Sequence, residues 1–293
     1  MGPPSPGGLV SEVMGPSAPA DSNSTYGPEP MLIKPVVLVF GPGLARSFAY
    51  AGVLKALQEE KIPVGAIIAT ETGSLIGALY ANSATINNFE WSLSKLKDET
   101  FAGKRSLFSG LSKADPENEG LDQLLARTFG EKNLTGFKTP LQIVLQREKT
   151  RESFLVKEGQ IKDLVRSAMA VPGVLAAFNN LTSAGASRPF AVSEARLLGS
   201  GPVVVIDVLS PAGDQLVKSQ NIALKDYIQS ARGAALDQLK DADLVITPNL
   251  SGLGFEDYQK KNDIIFRGKK AALAQQEAIR HLVGLPPKEK NHD

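Results

Sequence analysis

The chain has no cysteine, which excludes a disulfide framework, a thiolate nucleophile, an iron–sulfur cluster and a cysteine zinc site, and leaves no trace of the compartment's redox state. Histidine is nearly as scarce, with only His281 and His292, both near the C-terminus. A histidine metal cage or a Ser-His-Asp triad around a mid-chain base is therefore disfavoured, and any hydrolysis needs another base. No metal or cofactor is expected. Neither sign of charge is in excess: 32 Lys and Arg stand against 31 Asp and Glu, a formal net charge of +1. That leaves no electrostatic footprint for nucleic acid. No apolar run approaches the roughly 18 residues of a membrane-spanning helix.

Residues 1–30 lack a basic n-region and a continuous apolar h-region, so they do not form an intact secretory signal. They hold seven Pro, five Gly and only three charges, Glu12, Asp21 and Glu29. Residues 1–33 read as a flexible leader, of a kind that can follow a removed signal or a lipid anchor. Compartment is not encoded in any segment that can be read here.

From residue 34 to 293 the pattern changes to strand–helix alternation, in a chain long enough for a substantial core. Pro35-Val36-Val37-Leu38-Val39-Phe40 is a strand, and Phe48, Ala51, Leu54 and Leu57 follow at helical spacing. Ala66–Ala69 precedes a helix over 72–82, Leu141–Leu145 is a further strand, and Ile161, Leu164, Val165 and Ala168 share one helical face. The stretch 176–190 reads as a loop. Val203–Val208 and Leu244–Thr247 are buried strands separated by a helix carrying Tyr227, Ile228, Ala231 and Leu239, and a last helix covers 268–283. Near-continuous Val/Ile/Leu strands imply a sheet covered on both faces, and the alternation implies parallel connections. The expected fold is a single doubly wound, mostly parallel α/β sheet flanked by helices.

In such a sheet ligands bind beyond the carboxyl ends of the strands. The turn after the first strand is Gly41-Pro42-Gly43-Leu44-Ala45-Arg46-Ser47, leading into a helix whose N-terminus offers free N–H groups and a positive dipole end. Its glycine spacing does not fit a dinucleotide fingerprint, and no Gly-Lys-Ser/Thr marks a nucleotide loop. The turn after the second strand, Ala69-Thr70-Glu71-Thr72-Gly73-Ser74, occupies the strand-to-helix position of a nucleophile elbow, G-x-S-x-G, with Glu71 at its centre. A carboxylate there is a poor acyl acceptor beside a hydroxyl.

These segments together resemble the patatin-like phospholipase (acyl hydrolase) family over nearly all of the chain after residue 34. Gly41 to Leu57 is similar to the family's GGGxARGxAHxGVLxAL segment, better in the helix than in the loop. Glu59-Glu60-Lys61-Ile62-Pro63-Val64 through Gly73-Ser74-Leu75-Ile76-Gly77-Ala78-Leu79-Tyr80-Ala81 is similar to its EEGIPVDAIAGTSAGALVGALYA segment. Ser167–Val174 resembles its SxAxPGVF turn, and Ser193–Gly199 with Val203–Val208 resembles the segment after its catalytic Asp. The resemblance implies a Ser-Asp dyad acting on lipid acyl esters, with an oxyanion loop. Alignment puts Glu71 at the Ser position and Ser183, of Ser183-Ala184-Gly185, at the Asp position. Between Glu158 and Glu194 the one carboxylate is Asp163, at a helix start. In the loop Pro42 has no N–H and Leu44 replaces a Gly, while Arg46 is retained.

Glu71 has two readings: a carboxylate that binds a cation or ligand or acts as an acid or base, or relic geometry facing solvent, pairing with Arg46, or favoured by the helix dipole. Thr70, Thr72 and Ser74 are nearby hydroxyls that read as helix caps rather than substitute nucleophiles. Asp207 ends a strand and reads as a structural hydrogen-bond group. His281 lies on a solvated helix face. Leu96 to Glu119 resembles a cover over the cleft, a lipid or partner contact, or a plain loop. The resulting expectation is a catalytically degenerate patatin-like protein with a binding, scaffolding or regulatory role. Its candidate partners are a lipid or acyl-chain ligand, a protein, or a membrane surface. The alternative is an active lipid acyl hydrolase with a rearranged site.

Overall fold

A computed structural model describes residues 32–97, 100–101, 118–199, 201–210 and 221–288. The leader up to residue 31 and most of the 96–119 segment lie outside the described residues. Five strands run parallel: β1 (Val36–Phe40), β2 (Val64–Ala69), β3 (Leu141–Arg147), β6 (Val203–Ile206) and β7 (Leu244–Ile246). Two short strands, β4 (Ser153–Val156) and β5 (Leu181–Ser183), pair antiparallel with β3. The sheet order is β4-β3-β2-β1-β6-β7, with β5 beside β3. β4 and β5 escape the sequence pattern because segments of four and three residues carry too little periodicity to register.

Helices cover both faces. Those wholly within the described residues are α1 (Ala49–Glu59), α2 (Glu71–Asn82), α3 (Ile86–Ser94), α4 (Glu119–Phe129), α5 (Ile161–Ala168), the single turn α6 (Val192–Ala195), α7 (Ile222–Gln238), α8 (Lys261–Ala274) and α9 (Gln276–Val283). The strand side chains divide by parity. Leu38, Phe40, Ile67, Val204 and Ile206 join the core beneath α1, α2 and α8, whereas Val37, Val39, Ile68, Val203 and Val205 join a second core beneath α6 and α7. The near-continuous apolar strands thus have apolar partners on both sides. No described helix is long and apolar enough to cross a membrane.

The expected helix over 268–283 is two helices. The Gln275 side chain at the joint donates to the Val245 carbonyl at 3.3 Å, and α9 buries Ile279 and Val283. The chain lays down β1, β2 and β3 to one side and later places β6 on the other side of β1. The carboxyl ends of β1 and β6 therefore form the sheet's switch point, where a crevice is expected.

Candidate functional site

Three chain segments meet at that switch point. The first is the loop Gly41-Pro42-Gly43-Leu44 leaving β1, which runs into a 3-10 turn over Leu44–Phe48. Leu44 has φ +47°, the left-handed region that a glycine enters freely and that costs another residue about 1–2 kcal/mol. The loop therefore keeps a glycine-like path although a leucine stands there. Burial of the Leu44 side chain in the core under α6 and α7 offsets the strain. Pro42 lacks an N–H, but the donors that converge here belong to Gly43 and Leu44.

The second segment is the turn from β2 into α2. Glu71, its first helical residue, has φ +49°, so the turn is sharp, as an elbow requires. A Cβ at Gly73 would lie 2.9 Å from the carbonyl oxygens of Gly41 and Phe40, so only glycine lets the elbow rest on the end of β1. Thr70 holds the N-cap position of α2, but its side chain makes no capping bond and its hydroxyl donates to the Pro189 carbonyl at 3.2 Å. Ser74 is buried at the next helical position, its hydroxyl oxygen unpartnered.

Glu71 neither faces solvent nor pairs with Arg46, contrary to the relic reading. It is completely buried, and its Oε2 accepts from the Gly43 N–H at 2.5 Å and the Leu44 N–H at 2.9 Å. Its Oε1 accepts from the Thr72 hydroxyl at 2.6 Å. Burial raises its pKa above the ordinary carboxyl value, opposed by the hydrogen bonds from Thr72, Leu44 and Gly43. Arg46 is also fully buried but points elsewhere. Its guanidinium donates to the carbonyls of Val208 (2.9 Å) and Leu250 (3.2 Å) and sits 4.9 Å over the Phe255 ring. Burial lowers its pKa to about 10, with Asp207's charge acting in the opposite direction. Arg46 thus ties the loop to the segments following β6 and β7.

The third segment is β5 and the chain beyond it. Ser183 ends β5, and its hydroxyl lies 2.8 Å from that of Tyr227 on α7. It also accepts from the Gly185 N–H at 3.2 Å. A Cβ on Gly185 would fall 2.1 Å from the Tyr227 oxygen and 2.7 Å from the Pro42 Cβ. Ser183, Tyr227 and the 41–44 loop therefore close on one another. Burial pushes the Tyr227 phenol well above its usual range, and the nearby Glu71 charge adds to this. Tyr50, whose hydroxyl donates to the Gly41 carbonyl at 2.9 Å, is raised by the same two causes.

The remaining candidates are dispersed. Asp207 receives the N–H groups of Leu209 (2.9 Å) and Ser210 (3.2 Å) and shapes the turn after β6. Asp163 lies in the first turn of α5, and His281 is exposed near the end of α9. Sequence reasoning missed the role of Tyr227, which it placed only on a helix face, because no spacing relates residues 44 positions apart. It likewise missed the Thr72 hydroxyl as a carboxylate donor. In chemical terms, the arrangement binds one carboxylate through two backbone N–H groups and a hydroxyl, and the chain itself supplies that carboxylate.

A family model described as patatin-like phospholipase matches residues 38–194. Over 205 residues the chain is 28% identical to patatin-like phospholipase domain-containing protein 6 of Homo sapiens, covering 62% of this chain and 14% of that protein. Over 53 residues it is 53% identical to lysophospholipase NTE1 of Coccidioides immitis, covering 18% of this chain and 3% of that one. This chain therefore spans a small fraction of the length of these relatives. The crystal structure of VipD from Legionella pneumophila aligns with a TM-score of 0.48 at 12% identity, covering 84% of this chain and 67% of VipD.

Proposed function

The chain belongs to the patatin-like phospholipase family, and from that premise we propose that it is a catalytically degenerate member, with binding, scaffolding or regulation in place of hydrolysis. The observation carrying this reading is the Glu71 carboxylate bonded to the N–H groups of Gly43 and Leu44. An oxyanion hole accelerates acyl transfer because its donors wait for charge that develops only in the transition state. Here those donors already hold a tethered carboxylate, and a substrate carbonyl would have to displace it. In this reading Glu71 occupies the nucleophile position and Ser183 the position of the aspartate. The Ser183 hydroxyl, engaged with Tyr227, offers no general base.

The reading leaves a lipid or acyl chain as the candidate ligand, with a protein partner or membrane surface alongside it. Its test is hydrolysis of acyl esters and phospholipids by the wild type, Glu71→Ala and Glu71→Ser, each purified in the same way. All three are expected to be inert, because the missing base and the loop act as a unit with the nucleophile. Turnover by the wild type that disappears in Glu71→Ala would instead establish an active hydrolase with a rearranged site. Strong turnover by Glu71→Ser would show that base and donors are still intact.

A further inference from the structure

Away from the elbow, a cleft of about 320 Å³ opens where α2 ends and α3 begins, lined by Asn82, Ser83, Asn87, Asn88, Trp91 and Ser92. We infer that this cleft binds a pyranose sugar, free or carried on a lipid. The volume is at the small end of the range for small-molecule sites. The lining holds amides, hydroxyls and one indole, and two ammonium groups adjoin it, Lys132 on the Asn82 side-chain oxygen at 2.6 Å and Lys95 beside the Trp91 ring, so a cationic ligand would meet like charge.

Trp91 is the chain's sole tryptophan, and it is 66% exposed. A ring of this size contributes most when covered. Its faces are electron-rich: the Lys95 ammonium lies over one, 5.1 Å from the ring centroid, and the ligand takes the other. The polarised C–H bonds on one side of a pyranose suit such a face.

The polar groups are already oriented. The Asn88 side-chain oxygen accepts from the Thr85 hydroxyl at 2.7 Å, leaving its amide N–H groups as donors. The hydroxyls of Ser83 and Ser92 donate to the carbonyls of Leu79 (2.7 Å) and Asn88 (3.0 Å), leaving oxygen lone pairs as acceptors. The cleft thus presents donors and acceptors side by side. A sugar hydroxyl, which is both, matches that array, as it matches hydroxyl and amide side chains generally.

Because Trp91 is the only tryptophan, its fluorescence reports on this cleft alone. The full chain is titrated with methyl glycosides, soluble oligosaccharides, and phosphatidylcholine vesicles with and without a glycolipid. A saturable change is expected with at least one sugar. Asn88→Ala should weaken it on the order of tenfold, equivalent to about 1.4 kcal/mol or one hydrogen bond. Trp91→Ala should abolish the binding heat in calorimetry while the circular dichroism spectrum stays unchanged. A response to free oligosaccharide identifies a glycan as the source, and a response to glycolipid vesicles alone identifies a lipid-borne head group. An equal response to plain phosphatidylcholine vesicles, to nucleosides in place of sugars, or to no sugar would overturn the inference, as would wild-type affinity in Asn88→Ala. None of these outcomes depends on Glu71, so the sugar site and the hydrolase question stand or fall separately.

Discussion

The crossing of α1 over α8 and the junction of the 41–44 loop with the elbow both bring backbone against backbone inside the protein, but they are closed in opposite ways. At the crossing, side chains are absent. A Cβ at Gly52 would lie 1.9 Å from the Ile265 carbonyl oxygen, and one at Gly268 would lie 2.1 Å from that of Ala49. At the junction a side chain fills the gap, and three hydrogen bonds converge on the Glu71 carboxylate. The crossing depends on volume alone, whereas the junction adds polar satisfaction to the close approach at Gly73. A helix interface of the first kind tolerates no added atom, whereas a site of the second kind accepts a new residue provided its lone pairs and donors match.

The comparison is broken most severely by Gly52→Val. The obstructing atoms are backbone and cannot rotate away, so the expected loss is roughly 3 kcal/mol or more. Thermal unfolding reads it, and a wild-type transition would show that the crossing is looser than its geometry implies.

A smaller effect, with a distinctive pH signature, is expected of Glu71→Gln. The folded-state pKa of Glu71 is raised above its ordinary 4.5, so the folded protein holds this proton more tightly than the unfolded chain does. The associated stability is fully present below pH 4.5 and declines as pH rises through the folded-state value. Gln keeps an oxygen for the N–H groups but cannot titrate. Its unfolding free energy should therefore lack this decline, with an offset of about 1 kcal/mol. Identical pH profiles for the two proteins would assign the dependence to another group.

Ser183→Ala sharpens the comparison at its mildest point. It removes the partner of the Tyr227 hydroxyl and the acceptor for the Gly185 N–H, at an expected cost of about 1 kcal/mol. Urea denaturation of Ser183→Ala beside Tyr227→Phe measures it. If the double variant equals the sum of the singles, the two hydroxyls are not coupled.

The scaffold was legible because its signals are local and repeated. The runs Val36–Phe40 and Val203–Ile206 announce strands buried on both faces, and the structure buries every residue in them. The elbow was legible as a place, since a strand, a sharp turn and a helix follow within a few residues. Its chemistry was only half legible. Glu71 stood out as the wrong residue for an elbow, but its burial and its bonds to a loop 27 and 28 positions earlier did not. Leu44 looked like a lost glycine, whereas its backbone keeps the left-handed turn.

By itself, then, the sequence determined the family and the alternation of the five parallel strands with helices. Each of these depends on residue type and near-neighbour spacing, which the chain carries wherever it folds. Only the tertiary structure decided where the side chains around the two turns go: Glu71 turned inward onto Gly43 and Leu44, Arg46 directed at carbonyls beyond β6 and β7, and Ser183 matched with Tyr227. The physical reason is that a buried polar group must find its partners wherever the fold brings them. At a switch point, those partners come from parts of the chain far apart in sequence.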